Sequence, residues 1–328
     1  MTARRTYTAL LFGAAIVAMA ALPGCSKAPS PWEGVGGPPR IVVSIPPLYS
    51  FVKQVGGDHV GVICLCTQTG PHSYEYNTKD AILLRQADLL LGIGLGLDEK
   101  FMDKLQSNSG NPKLKYVQLG EQPRLEKLLK KPLEDEHDAD KKGHDEHAHG
   151  EWDPHVWLGI DTAKELVNAI ADELKKVDAA NAADYEKNAK AYCEKLDDLQ
   201  AEYTKKLKGK KDRKILPMHE SLQYFGDSFG LEIAGKIALQ PGDTPTAERY
   251  KKLLDKCKKE KIRVIAIEPQ FEAKAAEVLK EELGKASINA EVVLIDPLET
   301  ADPPNELSAD WYLHKMKKNL EALVDRLK

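Results

Sequence analysis

Two α/β lobes, each a mostly parallel sheet flanked by helices, with one long helix running between them, is the fold class this sequence predicts. Three observations lead to it. From Ile41 onward, short apolar runs alternate with helix-period patterns, as strands feeding helices in a parallel sheet do. Near the middle, Tyr185, Ala189, Tyr192, Leu196, Leu199, Tyr203 and Leu207 recur at intervals of three and four, one apolar stripe longer than a single sheet needs for cover. Residues 41–328, in a chain that is 42% hydrophobic, are enough for two separate cores.

Taken in order, residues 1–5 are basic, residues 8–22 form an apolar run too short to span a bilayer, and Leu22, Pro23, Gly24 and Cys25 follow. A small residue before a cysteine at the end of such a run resembles a bacterial lipoprotein signal, with Cys25 as the lipidated residue. A plain secretory signal cut near Gly24 is the alternative, and both readings export the mature chain. Residues 26–40 are rich in Pro, Gly and Ser and read as a tether.

Strand candidates then occupy 41–45, 60–65, 88–93 and 115–119, with helices starting near Pro47, Thr78 and Asp98. Asp161 is expected to cap a helix whose apolar stripe is Ala163, Leu166, Val167, Ile170, Leu174 and Val177. Asn181 is expected to cap the long helix, which runs to Gly209 and spans about 40 Å at roughly 1.5 Å per residue. Strands resume at 213–218, 262–267 and 291–295, and helices follow from Ser221, Thr246, Ala273 and Ser308. The implied organisation is a lobe over 41–180, a linking helix over 181–208 and a second lobe over 209–328.

Charge narrows the partners. The formal net charge is −4, and the Lys/Arg run over 205–214 ends a helical pattern, so it reads as a solvated face and not as a nucleic-acid surface. A monomer is expected.

Residues 134–151 stand apart. His137, His144, His147 and His149, four of the nine histidines, sit there among Asp, Glu and Lys with almost no apolar side chains. Such a stretch cannot bury a core and reads as a solvated loop. Imidazole suits zinc, copper and nickel, and the carboxylates raise the local cation concentration, so these four are candidate weak auxiliary metal ligands. The plainer reading is an acidic linker.

In open parallel sheets, binding groups collect just beyond the carboxyl ends of strands. His72, His219, Glu268 and Asp296 all fall there, and His155 arrives from the acidic loop. His72 and His155 belong to one half, His219 and Asp296 to the other, so a site between lobes would draw two ligands from each. Three imidazoles and a carboxylate suit zinc, whereas a second carboxylate would favour manganese. Ligands bind deprotonated, so affinity is expected to fall through the ordinary histidine range near 6 to 6.5.

The segments GPHSYEYNTKD (70–80), DPHVWL (153–158), MHESLQYFGDSFGL (218–231), EPQF (268–271), DPL (296–298) and WYLHKMKKNLEAL (311–323) resemble the serial motifs of the cluster A-I solute-binding proteins of zinc and manganese ABC importers. The resemblance spans residues 41–328. It implies two α/β lobes joined by a rigid helix, one metal ion in the cleft, and ligands at His72, His155, His219 and Asp296. The third histidine, the His-rich loop and EPQF are similar to the zinc branch. The chain departs at Tyr76, where proline is common, and at Gly159, where an acidic residue or Asn is common; neither is a ligand position. The implied protein is a lipid-anchored, extracytoplasmic zinc receptor that serves a membrane permease. Alternatives are a manganese or iron receptor, a periplasmic zinc buffer or adhesin, and a zinc hydrolase with Glu268 as general base. The last has no HExxH motif and would need an open coordination position.

Cys25 aside, Cys64 and Cys66 lie two apart in a strand, too strained to pair, and read as buried. A bridge between Cys193 and Cys257 would join the long helix to the second lobe; the spacing leaves it open.

Overall fold

The computed structural model describes residues 30–133, 150–237, 246–271, 273–301 and 306–327. Cys25, His137, His144, His147 and His149 lie outside the described residues.

The first sheet holds β1 (Arg40–Val43), β2 (Gly61–Cys64), β3 (Leu89–Gly92) and β4 (Lys115–Gln118). Its order is β2-β1-β3-β4, and every pairing is parallel. Helices α1 (Pro46–Gly56), α2 (Thr78–Leu84) and α3 (Glu99–Asn108) connect these strands. The central strands are buried on both faces, which is why Ile41, Val42, Val43, Leu89, Leu90 and Leu91 read as unbroken apolar runs. The second sheet repeats the plan with β5 (Lys214–Pro217), β6 (Glu232–Ile233), β7 (Val264–Ile267) and β8 (Glu291–Leu294), in the order β6-β5-β7-β8, again all parallel. Strand β6 has two residues, too few for a periodicity to reveal.

Between the sheets in sequence come α4 (Ile160–Val177) and α5 (Ala182–Leu207); α6 (Gln223–Phe229), α7 (Ala247–Glu260), α8 (Lys274–Lys285) and α9 (Trp311–Arg326) belong to the second half. Two capping expectations change. Helix α4 starts at Ile160 behind Gly159, leaving Asp161 in its first turn, where a carboxylate still favours the positive helix end. Asn181 does precede α5, but its amide turns back to donate to Asp178 at 2.7 Å.

All seven stripe residues of α5 are buried, and the helix packs against α1 and α4 on one side of the sequence and α6 and α9 on the other. One continuous apolar core therefore joins residues of the first sheet to Phe225, Phe229, Val293, Ile295, Tyr312 and Leu320. A separate cluster, including Leu216, Ile265, Cys257 and Leu279, fills the other face of the second sheet.

Phe51 of α1 sits at the junction, its ring centroid 4.7 Å from Tyr312 of α9 in an edge-on contact and 6.0 Å from Tyr192 of α5. Phe51→Ala is expected to cost about 3–5 kcal/mol of stability. Urea unfolding checks this: the midpoint should fall while the slope stays constant, and an unchanged midpoint would remove Phe51 from the shared core.

The four described cysteines are free thiols. Cys193 packs beside the shared core and Cys257 lies inside the second cluster, so the two stand in different cores and no bridge joins them.

Candidate metal centre

Loops leaving the carboxyl ends of the strands converge on one point. Pro71 opens a short 3-10 turn that carries His72, with Gly70 in an extended conformation before it. His155 precedes a second such turn, Val156–Leu158. His219 lies two residues past β5, and the chain beyond β8 passes through Asp296 and Pro297 into a turn. At Leu298 that turn takes a φ of 65°, a left-handed conformation uncommon outside glycine, and it sends Glu299 back toward the histidines.

The result is a group of His72, His155, His219 and Glu299, the last three buried and His72 partly exposed, whose donor atoms all lie within 4.8 Å of one another. Glu299 Oε1 is 3.3 Å from His72 Nε2, 3.4 Å from His155 Nε2 and 3.5 Å from His219 Nε2. Two of the imidazoles are backed by carboxylates. Asp153 Oδ1 lies 2.8 Å from His155 Nδ1 and also accepts the His155 amide, while Glu268 Oε2 lies 2.6 Å from His219 Nδ1. Each carboxylate fixes ring orientation and aims Nε2 into the cleft, as a carboxylate behind a metal-bound histidine does. Gln223 and Gln270 hold those carboxylates in turn, at 2.8 and 3.2 Å. Phe271 stacks on His219, with centroids 5.7 Å apart.

Protonation follows from this arrangement. Burial pulls the His155 imidazole down, but its bonds to Asp153 and Glu299 outweigh that and raise it to about 9. Burial likewise opposes the His219 charge, and the Glu268 and Glu299 carboxylates overcome it, raising it to about 10. Burial pushes Glu299 upward, yet the surrounding histidines hold it well below the usual carboxylate range. Both rings thus titrate above the range expected from sequence, because carboxylates face each of them from both sides.

Three of the four expected ligands meet here; Asp296 does not. Its Oδ1 accepts the Leu298 amide at 2.8 Å and its Oδ2 lies 3.7 Å from Lys315 Nζ, so it shapes the turn and faces α9. Burial raises its carboxyl above the ordinary value. Glu299 occupies the position expected for Asp296. The signal for it is a second acid three residues beyond the first in DPLE, but without the left-handed turn at Leu298 nothing in the sequence says which acid points inward.

A tetrahedral ion bonded at about 2.1 Å to each donor needs donors about 3.4 Å apart, since the edge of a tetrahedron is about 1.63 times its radius. The three spacings around Glu299 Oε1 match that edge. Paired parallel sheets that turn their carboxyl edges toward a buried imidazole–carboxylate cluster define an α/β protein with a metal-binding cleft.

Residues 41–326 match the family described as "ZnuA: Zinc-uptake complex component A periplasmic", and the chain belongs to that family. It is similar to the zinc-binding lipoprotein AdcA of Streptococcus pneumoniae, 31% identical over 286 residues, which cover 87% of this chain and 55% of that protein. The chain thus spans about half the length of that relative. It is also 35% identical over 318 residues to the high-affinity zinc uptake system protein ZnuA of Brucella abortus, covering 88% of this chain and 91% of that one. Among solved structures, the solute-binding protein FpvC of Pseudomonas aeruginosa in complex with Mn2+ superposes with a TM-score of 0.73 at 26% identity, covering 88% and 98% of the two chains.

Proposed function

We propose that this chain is the extracytoplasmic receptor of a zinc importer, capturing Zn2+ with His72, His155, His219 and Glu299 and delivering it to an ABC permease. The observation that carries this reading is the spacing of 3.3 to 3.5 Å from one buried carboxylate oxygen to three imidazole nitrogens, the edge length of a zinc tetrahedron. Family membership and the zinc-naming relatives support it. Residues 1–25 act as the lipoprotein signal, Cys25 as the anchor and residues 26–40 as the tether, with lobes over 41–180 and 209–328 on either side of a linking helix over 181–208.

Zinc is cargo here, and the protein's part is to offer preset donors and take it up without chemistry. Zinc displaces the protons that His155 and His219 carry, and the Asp153 and Glu268 carboxylates then balance the metal's charge. Four protein donors leave no open position for a reacting water, and Glu268 is engaged with His219 Nδ1, so neither half of a hydrolase mechanism is available. Manganese is the second reading, favoured by the FpvC likeness. It prefers oxygen donors, and a set with three nitrogens and one oxygen favours zinc.

Competition titration with a chromogenic chelator tests the assignment. One tight zinc equivalent per chain, with manganese bound far more weakly, is expected; tighter manganese binding would overturn it. Zinc at a hundredfold above its dissociation constant should also stabilise the fold by about 2.7 kcal/mol, seen as a rise in melting temperature.

The four histidines of the acidic loop have a separate part in this reading, as weak collectors. Any ordering of such a chain on binding costs on the order of 1 kcal/mol per residue fixed, so its affinity should be lower than that of a preset cleft. Deleting residues 134–151 while keeping Asp153, Pro154 and His155 is expected to remove the weak equivalents and keep the tight one, with growth impaired only under chelation. Loss of the tight equivalent would place a primary ligand in the loop.

A further inference from the structure

The ligand Glu299 rides on a strap, residues 296–301, that follows a strand of the second sheet yet is fastened to the first half of the chain at two main-chain points. Trp157 Nε1 donates to Pro297 O at 2.8 Å, and the Ala301 amide donates to Thr67 O at 2.7 Å. Leu298 and Ala301 are fully buried in the shared core, so the strap is anchored by packing as well. The Glu299 carboxylate lies close over Gly70: a Cβ added there would stand 3.2 Å from Glu299 Oε2, so glycine leaves the carboxylate its room.

Trp157 makes the first of these contacts and joins the strap to two other parts of the fold. Its ring centroid lies 5.2 Å from that of His155, its indole nitrogen holds the strap, and its carbonyl accepts from Tyr312 of α9 at 2.6 Å. One fully buried residue therefore touches a ligand from the first half and the segment carrying a ligand from the second through its side chain, and α9 through its carbonyl.

We infer that Trp157 is a positioning residue that latches the Glu299 strap against His155 and thereby sets how fast the cleft releases its metal. The inference rests on the zinc reading of the same site. With the latch closed, the fourth donor cannot leave without breaking a buried hydrogen bond and uncovering Leu298. With it open, the ion is held by three imidazoles and water can enter at the vacated position. Release to a permease would then begin by lifting the strap, without separating the two lobes across their shared core.

The test measures zinc release from the full chain into excess chelator by stopped flow, together with the absorption spectrum of the Co2+ form and the melting temperature of the metal-free protein. Trp157→Phe keeps an aromatic ring beside His155 but has no donor for Pro297 O. It should release zinc about 10- to 100-fold faster, the range set by losing a group that orients a ligand. The Co2+ spectrum should shift toward that of Glu299→Gln. In a Glu299→Gln background, Trp157→Phe should add nothing further to the release rate, whereas a merely structural role would lower the melting temperature and leave both release and spectrum unmoved. Gly70→Ala, which crowds Glu299 Oε2 without touching Trp157, should speed release as Glu299→Gln does and serves as the control on the strap side. Should Trp157→Phe fail to fold, Tyr312→Phe carries the test, because it removes the donor to Trp157 O and should speed release while leaving Glu299 untouched. Unchanged release in Trp157→Phe, or additive effects of Trp157→Phe and Glu299→Gln, overturns the latch; with Trp157→Phe unfolded, unchanged release in Tyr312→Phe does so. Failure of the parent chain to bind zinc overturns the zinc reading instead.

Discussion

Replacing His219 with alanine is expected to abolish tight zinc binding and to weaken the metal-free fold at the same time. Zinc held by four protein ligands is worth about 10–16 kcal/mol, so one ligand carries about 3 kcal/mol and its loss costs at least about two decades of affinity. The second effect comes from what remains. Glu268 and Glu299, both buried, lose the imidazolium that lies between them, and breaking such a buried pair costs about 3–5 kcal/mol. Calorimetric zinc titration and urea unfolding of His219→Ala read the two effects separately. Unchanged tight binding would remove His219 from the site. The companion comparison is Asp296→Asn, which keeps an acceptor for the Leu298 amide and is expected to leave affinity nearly unchanged, whereas Glu299→Gln should weaken it.

The second large effect is on pH. With His155 titrating at about 9 and His219 at about 10, both rings carry a proton near neutrality in the metal-free protein. Zinc must displace those protons, so binding at pH 7.5 should release about two protons, and affinity should climb steeply with pH until the rings have titrated. Calorimetry in buffers of different ionisation enthalpy counts the protons directly; zero released would contradict the protonated cluster. The sign for the metal-free fold is opposite on the two sides. Raised histidines contribute stability that is complete below about 6.5 and lost as pH rises through about 9 and 10. Glu299, depressed well below its ordinary value, contributes stability present above about 4.3 and lost as pH falls through its folded value. Metal-free protein should therefore be most stable between about pH 4.3 and 6.5.

Much of the fold is legible in the amino-acid sequence. Strand and helix periods locate seven of the eight described strands and all nine described helices, because parallel strands buried on both faces leave unbroken apolar runs and the long helix leaves a single stripe. His72, His155 and His219 are legible because each follows a strand or a proline turn where binding groups gather. Glu299 is not, since its inward direction depends on a left-handed leucine that no propensity announces. The raised histidines are not either. The carboxylates responsible, Asp153 and Glu268, are visible in DPH and EPQ, but only the fold puts Glu268 behind a histidine 49 residues away in sequence. Capping at α4 and α5 shifts for a local reason: at Asn181 the side chain finds Asp178 and not the helix amides.

The most direct measurement of the central claim is anomalous diffraction at the zinc edge from crystals of the zinc-loaded chain. One peak is expected in the cleft, about 2.0–2.1 Å from Nε2 of His72, His155 and His219 and about 2.0–2.2 Å from a Glu299 carboxylate oxygen. A peak bonded to Asp296 with Glu299 turned away, or no peak among the three histidines, would contradict it.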